Sequence, residues 1–154
     1  MQQLWSSLYT LVLALWVGGM ALFTFIVTPV LFRSFTPDLA DRVVGKLFPG
    51  YFLYNLILSA AALALYLVSA AIRTGFASRF SPALLTLALL VNIFIVFKLH
   101  PEAVKVKQEI ASFEQEALDS PARKKFSKLH GVSVALNLFL LVAGILLLVA
   151  GSLL

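Results

Sequence analysis

The sequence predicts an all-α fold: an integral membrane four-helix bundle, with a cytosolic helical hairpin between spans three and four and a short interfacial helix between spans one and two. Three observations carry that expectation. Residues 1–32, 47–72, 80–97 and 129–154 contain no Asp, Glu, Lys or Arg, and each run approaches or exceeds the roughly 20 residues that cross about 30 Å of hydrocarbon. The charges gather elsewhere, with all seven acids and ten of the twelve Lys/Arg inside 33–46 and 98–128. Finally, Thr36-Pro37, Ser81-Pro82 and Ser120-Pro121 each pair a hydroxyl cap with a proline at the first helical position, a helix-start signature.

A chain of 154 residues, 61% apolar and 12% charged, makes one domain and excludes an ordinary soluble fold. Only Arg73 and Arg79 lie outside the two charged segments, and that asymmetry puts those segments in the cytoplasm and both termini outside. The net charge of +5 then reads as a topology signal that also suits anionic headgroups. No nucleic-acid partner is expected, because no basic stripe is interleaved with exposed aromatics. The chain has no cysteine, which removes disulfides, thiolate metal sites and thiol nucleophiles. The N-terminus lacks a basic leader region, so its apolar run reads as a retained span.

The spans are expected at about 5–32, 51–72, 82–99 and 129–152. In the first, Trp5 and Tyr9 suit the outer aromatic belt, Ala14 and Gly18 have small-xxx-small spacing, and Pro29 bends the inner end. Pro37 opens the interfacial helix, with Leu39, Val43 and Leu47 toward the membrane. Phe48-Pro49-Gly50-Tyr51 is expected to turn the chain into span two. After span three, Val106, Ile110, Phe113 and Ala117 recur at helical spacing. That predicts a hairpin over about 101–128, its tip at 118–121. A solvated charged loop is the alternative.

Three spans carry an asparagine. Counting inward from Gly50, His100 and His130 at about 1.5 Å per residue puts Asn55, Asn92 and Asn137 about 7, 12 and 10 Å deep. Thr24 and Thr28 reach similar depths from Arg33. Ser59 lies one turn from Asn55, and His130, Ser133 and Asn137 form an i, i+3, i+7 stripe. Polar groups in hydrocarbon must be satisfied by one another or by a hydrated cavity. Thr28, Asn55, Asn92, His130, Ser133 and Asn137 are therefore the candidate ligand-binding residues of a cytoplasm-facing pocket. The alternative is that interhelical asparagine bonds only fix packing.

His130 and His100 are the two imidazoles available to a metal or haem. No cofactor is expected, with haem or a metal ion the alternative. No acid or lysine lies mid-span to carry a proton or cation, two methionines are few for copper(I), and no catalytic residues are assigned.

Lys46-Leu47-Phe48-Pro49-Gly50-Tyr51-Phe52 resembles the opening of span two in transmembrane protein 205 and its bacterial relatives, grouped as domain of unknown function 4149. Phe126 to Leu138, with His130-Gly131-Val132-Ser133 and Asn137, resembles that family's span four. Asn92 with Pro101, and Trp16-Val17-Gly18-Gly19 with Thr28-Pro29, resemble its third and first spans. The bacterial group is also distantly similar to copper-resistance D-like membrane proteins and to a haem-pathway protoporphyrinogen oxidase. The resemblance implies a bacterial inner-membrane protein that handles small compounds, with Gly18, Pro29, Lys46, Pro49, Tyr51, Asn92, His130, Gly131, Ser133 and Asn137 carried over. His100 departs from the animal pattern.

The expected function is that of a membrane protein handling a small molecule or ion through a cytoplasm-facing polar pocket. A haem-binding redox protein and a structural protein docking a cytosolic partner at 101–128 are the alternatives. The lipid bilayer is the certain partner, and a homo-oligomer through Ala14/Gly18 is left open.

Overall fold

A computed structural model describes residues 2–72 and 80–152. Arg73, Arg79 and the loop between them lie outside the described residues, as do the ends of the first and last charge-free runs at 1 and 153–154. Four helices are long and apolar enough to cross a membrane. Helix one is α-helical over Gln2–Leu22, makes a π-turn over Phe23–Val27, and resumes over Thr28–Ser34. Helix two is Pro37–Ile72, and helix four is Pro121–Ser152. Helix three joins Phe80–Phe94 to His100–Lys107 through a second π-turn, Ile95–Leu99.

Both π-turns sit just before a proline, Pro29 and Pro101, and the proline explains them. A proline lacks an N–H and its ring crowds the carbonyl four residues back. Widening the preceding turn relieves that crowding: the Thr28 N–H donates to the Phe23 carbonyl and the His100 N–H to the Ile95 carbonyl, five residues back. Pro29 therefore adds a residue to a turn of helix one, which rotates everything beyond it.

The 37–47 segment is helical, but it continues into span two without the turn expected at Phe48–Tyr51. Pro49 sits inside helix two. The helix starts as the sequence suggests, with the Thr36 carbonyl accepting the Ala40 N–H at 2.9 Å and Asp38 in the first turn. Ala40 and Val44 are buried, whereas Leu39 and Leu47 are exposed.

The helices form a ring in chain order: one packs on two and four, and three packs on two and four. Helices one and three, and two and four, face each other across the centre. Leu13, Trp16, Met20, Leu85, Leu140 and Leu147 fill that centre. Outside, Leu11, Phe25, Ile57, Leu90, Phe97 and Val142 lie exposed, an apolar coat suited to lipid and not to water. The close approaches are made by Gly19 and Gly144. A Cβ on Gly19 would fall 2.5 Å from the Tyr54 ring, and one on Gly144 would fall 2.6 Å from Val17. Gly18 has nothing within 4 Å of that position, so the glycine read as a packing residue is open and its neighbour does the packing. Tyr9, expected in the outer belt, lies against Tyr66 with ring centroids 6.0 Å apart.

The hairpin between helices three and four has helical arms and a turn-rich tip. The helical spacing of Val106, Ile110, Phe113 and Ala117 does not extend the helix past Lys107. Side chains take over the backbone there. Asp38 of helix two accepts the Ser112 hydroxyl and the Phe113 N–H, each at 2.6 Å. Glu116 accepts the Ala111 N–H at 3.3 Å and the Ser120 hydroxyl at 2.6 Å. Arg123 donates to the carbonyls of Phe113 and Glu116 at 2.7 and 2.9 Å and stacks over the Phe113 ring. Val106 and Ile110 remain buried. The tip is thus a folded cap fastened to helix two, not a solvated loop. Ser120 then caps helix four by accepting the Arg123 N–H at 3.3 Å.

Candidate functional site

The polar residues of the four helices separate into a closed layer inside the bundle and an open cavity at its charged end. In the layer, Asn137 of helix four is the hub. Its carbonyl accepts the Tyr51 hydroxyl at 2.5 Å and its amide donates to the Thr24 hydroxyl at 2.8 Å. Helices two and four are diagonal neighbours, so the long Tyr51 side chain spans the bundle centre. Asn92 of helix three donates to Ser59 of helix two at 3.2 Å and to its own Ala88 carbonyl at 3.1 Å. Ser59 in turn donates to the Leu56 carbonyl at 3.0 Å. Asn55, on the same face as Tyr51 and Ser59, donates to the Tyr51 carbonyl at 3.0 Å. Asn55, Ser59 and Asn92 are all at most 2% exposed.

The bonds fall in two groups: Asn137, Tyr51 and Thr24 tie helices four, two and one, and Asn92 with Ser59 ties helix three to helix two. The partners differ in two ways from those expected. Thr24, not Thr28, supplies the hydroxyl from helix one: Thr24 lies within the π-turn over Phe23–Val27 and Thr28 just after it, and the widened turn breaks the one-turn relation between them. Tyr51, expected in a turn, supplies the diagonal bond. One group has no protein partner: the Asn55 side-chain carbonyl is buried and unbonded.

The cavity lies toward the charged end, between helices two, three and four, with a volume of about 600 Å³. Its inner wall is Phe48, Phe52, Leu99, Leu129 and Ser133, and its outer wall is Asp41, Arg42, Lys46, Lys107 and Gln108. His130 and Ser133 line it; Thr28, Asn55, Asn92 and Asn137 are not among its lining residues. The stripe on helix four thus runs from the cavity, at His130 and Ser133, to the layer, at Asn137. His100 and His130 both reach the cavity. His100 meets the Phe52 ring edge-on at 5.2 Å, and His130 stacks on Phe126 at 6.2 Å. Among the described residues, no three His, Asp or Glu side chains gather into a metal-holding group.

Across the outer wall, the Lys107 ammonium is 2.6 Å from the Asp41 carboxylate and donates to the Asp41 carbonyl at 3.3 Å. Gly45 makes room for it, since a Cβ there would lie 2.9 Å from the ammonium nitrogen. This is the one ion pair among the described residues, and it leaves Arg42 and Lys46 on the rim without an acid at pairing distance. Neither the lysine nor its partner stood out in the sequence, because they are 66 residues apart and each looks like an ordinary solvated charge. The positive balance of 98–128 was the only trace.

A family described as a domain of unknown function, DUF4149, matches residues 11–112. The chain belongs to it. No curated protein matches the chain, and no solved structure does. The DUF4149 match covers helix one from residue 11, helices two and three, and the start of the hairpin tip, including the cavity walls given by helices two and three. Helix four, with His130, Ser133 and Asn137, lies beyond the matched residues.

Proposed function

We propose that this DUF4149 protein is a multi-pass membrane protein that binds a small molecule from the cytoplasm, in the cavity between helices two, three and four. The observation that carries the reading is the contrast between a closed polar layer and a cavity with unpaired rim cations and an apolar inner wall. A site of about 600 Å³ is in the size range of small-molecule pockets, and apolar walls with a few convergent polar groups are their usual lining. The layer behind it is filled by its own hydrogen bonds, which favours binding and release on one face over an aqueous path across the bundle.

The orientation follows from charge. Ten of the twelve Lys/Arg fall in 33–46 and 98–128, the segments that supply the cavity's charged wall, which supports a cavity facing the cytoplasm. The motif likeness of Lys46–Phe52 and Phe126–Leu138 to transmembrane protein 205 supports handling of small compounds.

Two measurements test it. The chain has no cysteine, so Gln115→Cys and Ser78→Cys can be labelled singly in cells. An impermeant maleimide added outside should label position 78 and spare 115, and the reverse pattern sinks the orientation. A density map of the protein in lipid nanodiscs should show a non-protein molecule in the cavity that Ser133→Trp displaces; an empty cavity in both counts against binding.

A second reading is favoured by one observation, that His100 and His130 line the same cavity. Those imidazoles would hold haem iron, and haem would bring one-electron chemistry. A Soret band that appears on haem addition and vanishes in His100→Ala and His130→Ala would carry it.

A further inference from the structure

We propose that the molecule taken by the cavity is an anionic amphiphile: an apolar body lying in the inner wall and one carboxylate or phosphate held at the rim. This inference rests on the binding reading above and names its ligand class.

The cavity straddles the boundary between the charge-free runs and the charged segments. Phe52, Leu129 and Ser133 belong to runs without a charge, while Asp41, Arg42, Lys46 and Lys107 belong to the charged segments. A ligand filling it must therefore be apolar at the buried end and polar at the other. The polar end has a preferred sign. Three permanent cations, Arg42, Lys46 and Lys107, line the cavity with one carboxylate, Asp41, which Lys107 engages at 2.6 Å; Asp38, one turn from Arg42 and outside the lining, is engaged by the Ser112 hydroxyl and the Phe113 N–H. A cationic or zwitterionic head would meet no unpaired acid here. An anionic head would meet Arg42 and Lys46, both exposed, and the planar guanidinium of Arg42 can hold a carboxylate or phosphate with two parallel hydrogen bonds. Both cations stand one turn apart on helix two, so they present to the same side of it.

The inner wall argues against a bare anion. Phe52 and Leu99 are buried, Phe48 stacks on Phe52 with centroids 5.2 Å apart, and His100 closes edge-on against the same ring. That aromatic surface offers nothing to inorganic phosphate and a great deal to an acyl chain. The shared chemistry fits a free fatty acid and a single-chain phospholipid alike, and the test separates them.

The protein in nanodiscs of neutral lipid is titrated with four probes: cis-parinaric acid, its methyl ester, a single-chain lysophosphatidate, and inorganic phosphate. The acid should bind with enhanced fluorescence, and the ester at least tenfold more weakly. Inorganic phosphate should neither bind nor displace the acid. Displacement of parinarate by lysophosphatidate assigns the phosphate head; its failure to displace assigns the carboxylate. Arg42→Gln with Lys46→Gln should weaken acid binding at least tenfold at low salt and leave thermal unfolding in place, since both side chains are exposed. Phe52→Trp fills the inner wall and should block every probe.

Equal binding of acid and ester, both blocked by Phe52→Trp, overturns the anionic inference and leaves the binding reading standing. Acid binding unchanged by the double substitution overturns it too. Binding of no probe to the wild-type protein, with an empty cavity in the density map, overturns both.

Discussion

The interior layer, made of neutral amides and hydroxyls, and the charged-end cavity, rimmed by cations, treat their polar groups oppositely. In the layer, Asn137, Tyr51 and Thr24 satisfy one another, and Asn92 is met by Ser59 and its own helix. At the cavity, Arg42 and Lys46 are left with no acid at pairing distance among the described residues. The difference follows from surroundings. Hydrocarbon penalises an unsatisfied polar group by several kcal/mol, so polar residues there must pair. Water and headgroups at the boundary impose no such penalty, so cations can stand unpaired and wait for a ligand. Changes in the closed half should therefore move stability, and changes at the open end should move binding or local order.

The largest stability effect is expected at Gly144→Leu. A Cβ alone would come within 2.6 Å of Val17, so the longer side chain must push helices one and four apart. Overpacking of this kind costs about 2–3 kcal/mol, read by reversible unfolding in mixed micelles. An unchanged midpoint would mean that the two helices are not held at the observed spacing.

Next comes Asn137→Leu, which leaves the Tyr51 hydroxyl and the Thr24 hydroxyl without their partner. Interhelical polar bonds in membranes average about 0.6 kcal/mol each, so a loss of about 1–2 kcal/mol is expected for the pair. Parinarate binding should be unaltered. A large loss of binding would show that the layer and the cavity are one site.

At the open end, Asp38 fastens the tip. The Ser112 hydroxyl first, the Phe113 N–H next, and Arg42 and Arg123 in smaller measure hold its carboxyl below the usual carboxylate range. A carboxyl with a depressed folded pKa contributes stability that is fully present above its unfolded pKa and is lost as pH falls through the folded one. The tip should therefore stay fastened at neutral pH and loosen below the ordinary carboxylate range of about 4. Asp38→Ala should loosen it at any pH. Amide exchange over residues 111–116 should rise at least tenfold in either case while exchange over the four spans stays unchanged. Spans that exchange together with the tip would show that the two halves are not separate.

How much of this could be read from the residues differs between the same two regions. Span positions were legible because charge-free runs report the solvent directly, and the depth of the three asparagines followed from a rise per residue. Azimuth was not. The π-turns before Pro29 and Pro101 each add a residue to a turn, which moved the layer's hydroxyl from Thr28 to Thr24. Helix continuity through Pro49 was hidden because a Phe-Pro-Gly-Tyr run reads as a turn, whereas the helix runs unbroken from Pro37 to Ile72. Residues 108–117 read as helix because Val106, Ile110, Phe113 and Ala117 recur at helical spacing, while the groups that end the helix, Asp38 above all, come from 74 residues away. Long-range side-chain bonds leave no period in the sequence.

The smallest effect is the most discriminating. The Asn55 side-chain carbonyl is the one member of the layer without a partner, and its amide donates to the Tyr51 carbonyl one turn back. If the layer is closed as drawn, Asn55→Leu removes an unsatisfied acceptor and sacrifices a bond to a carbonyl that the helix already uses. Removing a buried unpaired group recovers part of a penalty of about 1–3 kcal/mol, offset by some crowding from the new methyls. The change in unfolding free energy should therefore be near zero or stabilising by up to about 1 kcal/mol, against a clear loss for Asn137→Leu. A loss at Asn55 as large as that at Asn137 would mean that a water or a ligand group donates to this carbonyl in the bilayer. The closed layer would then have an opening, and Asn55 is where it would be.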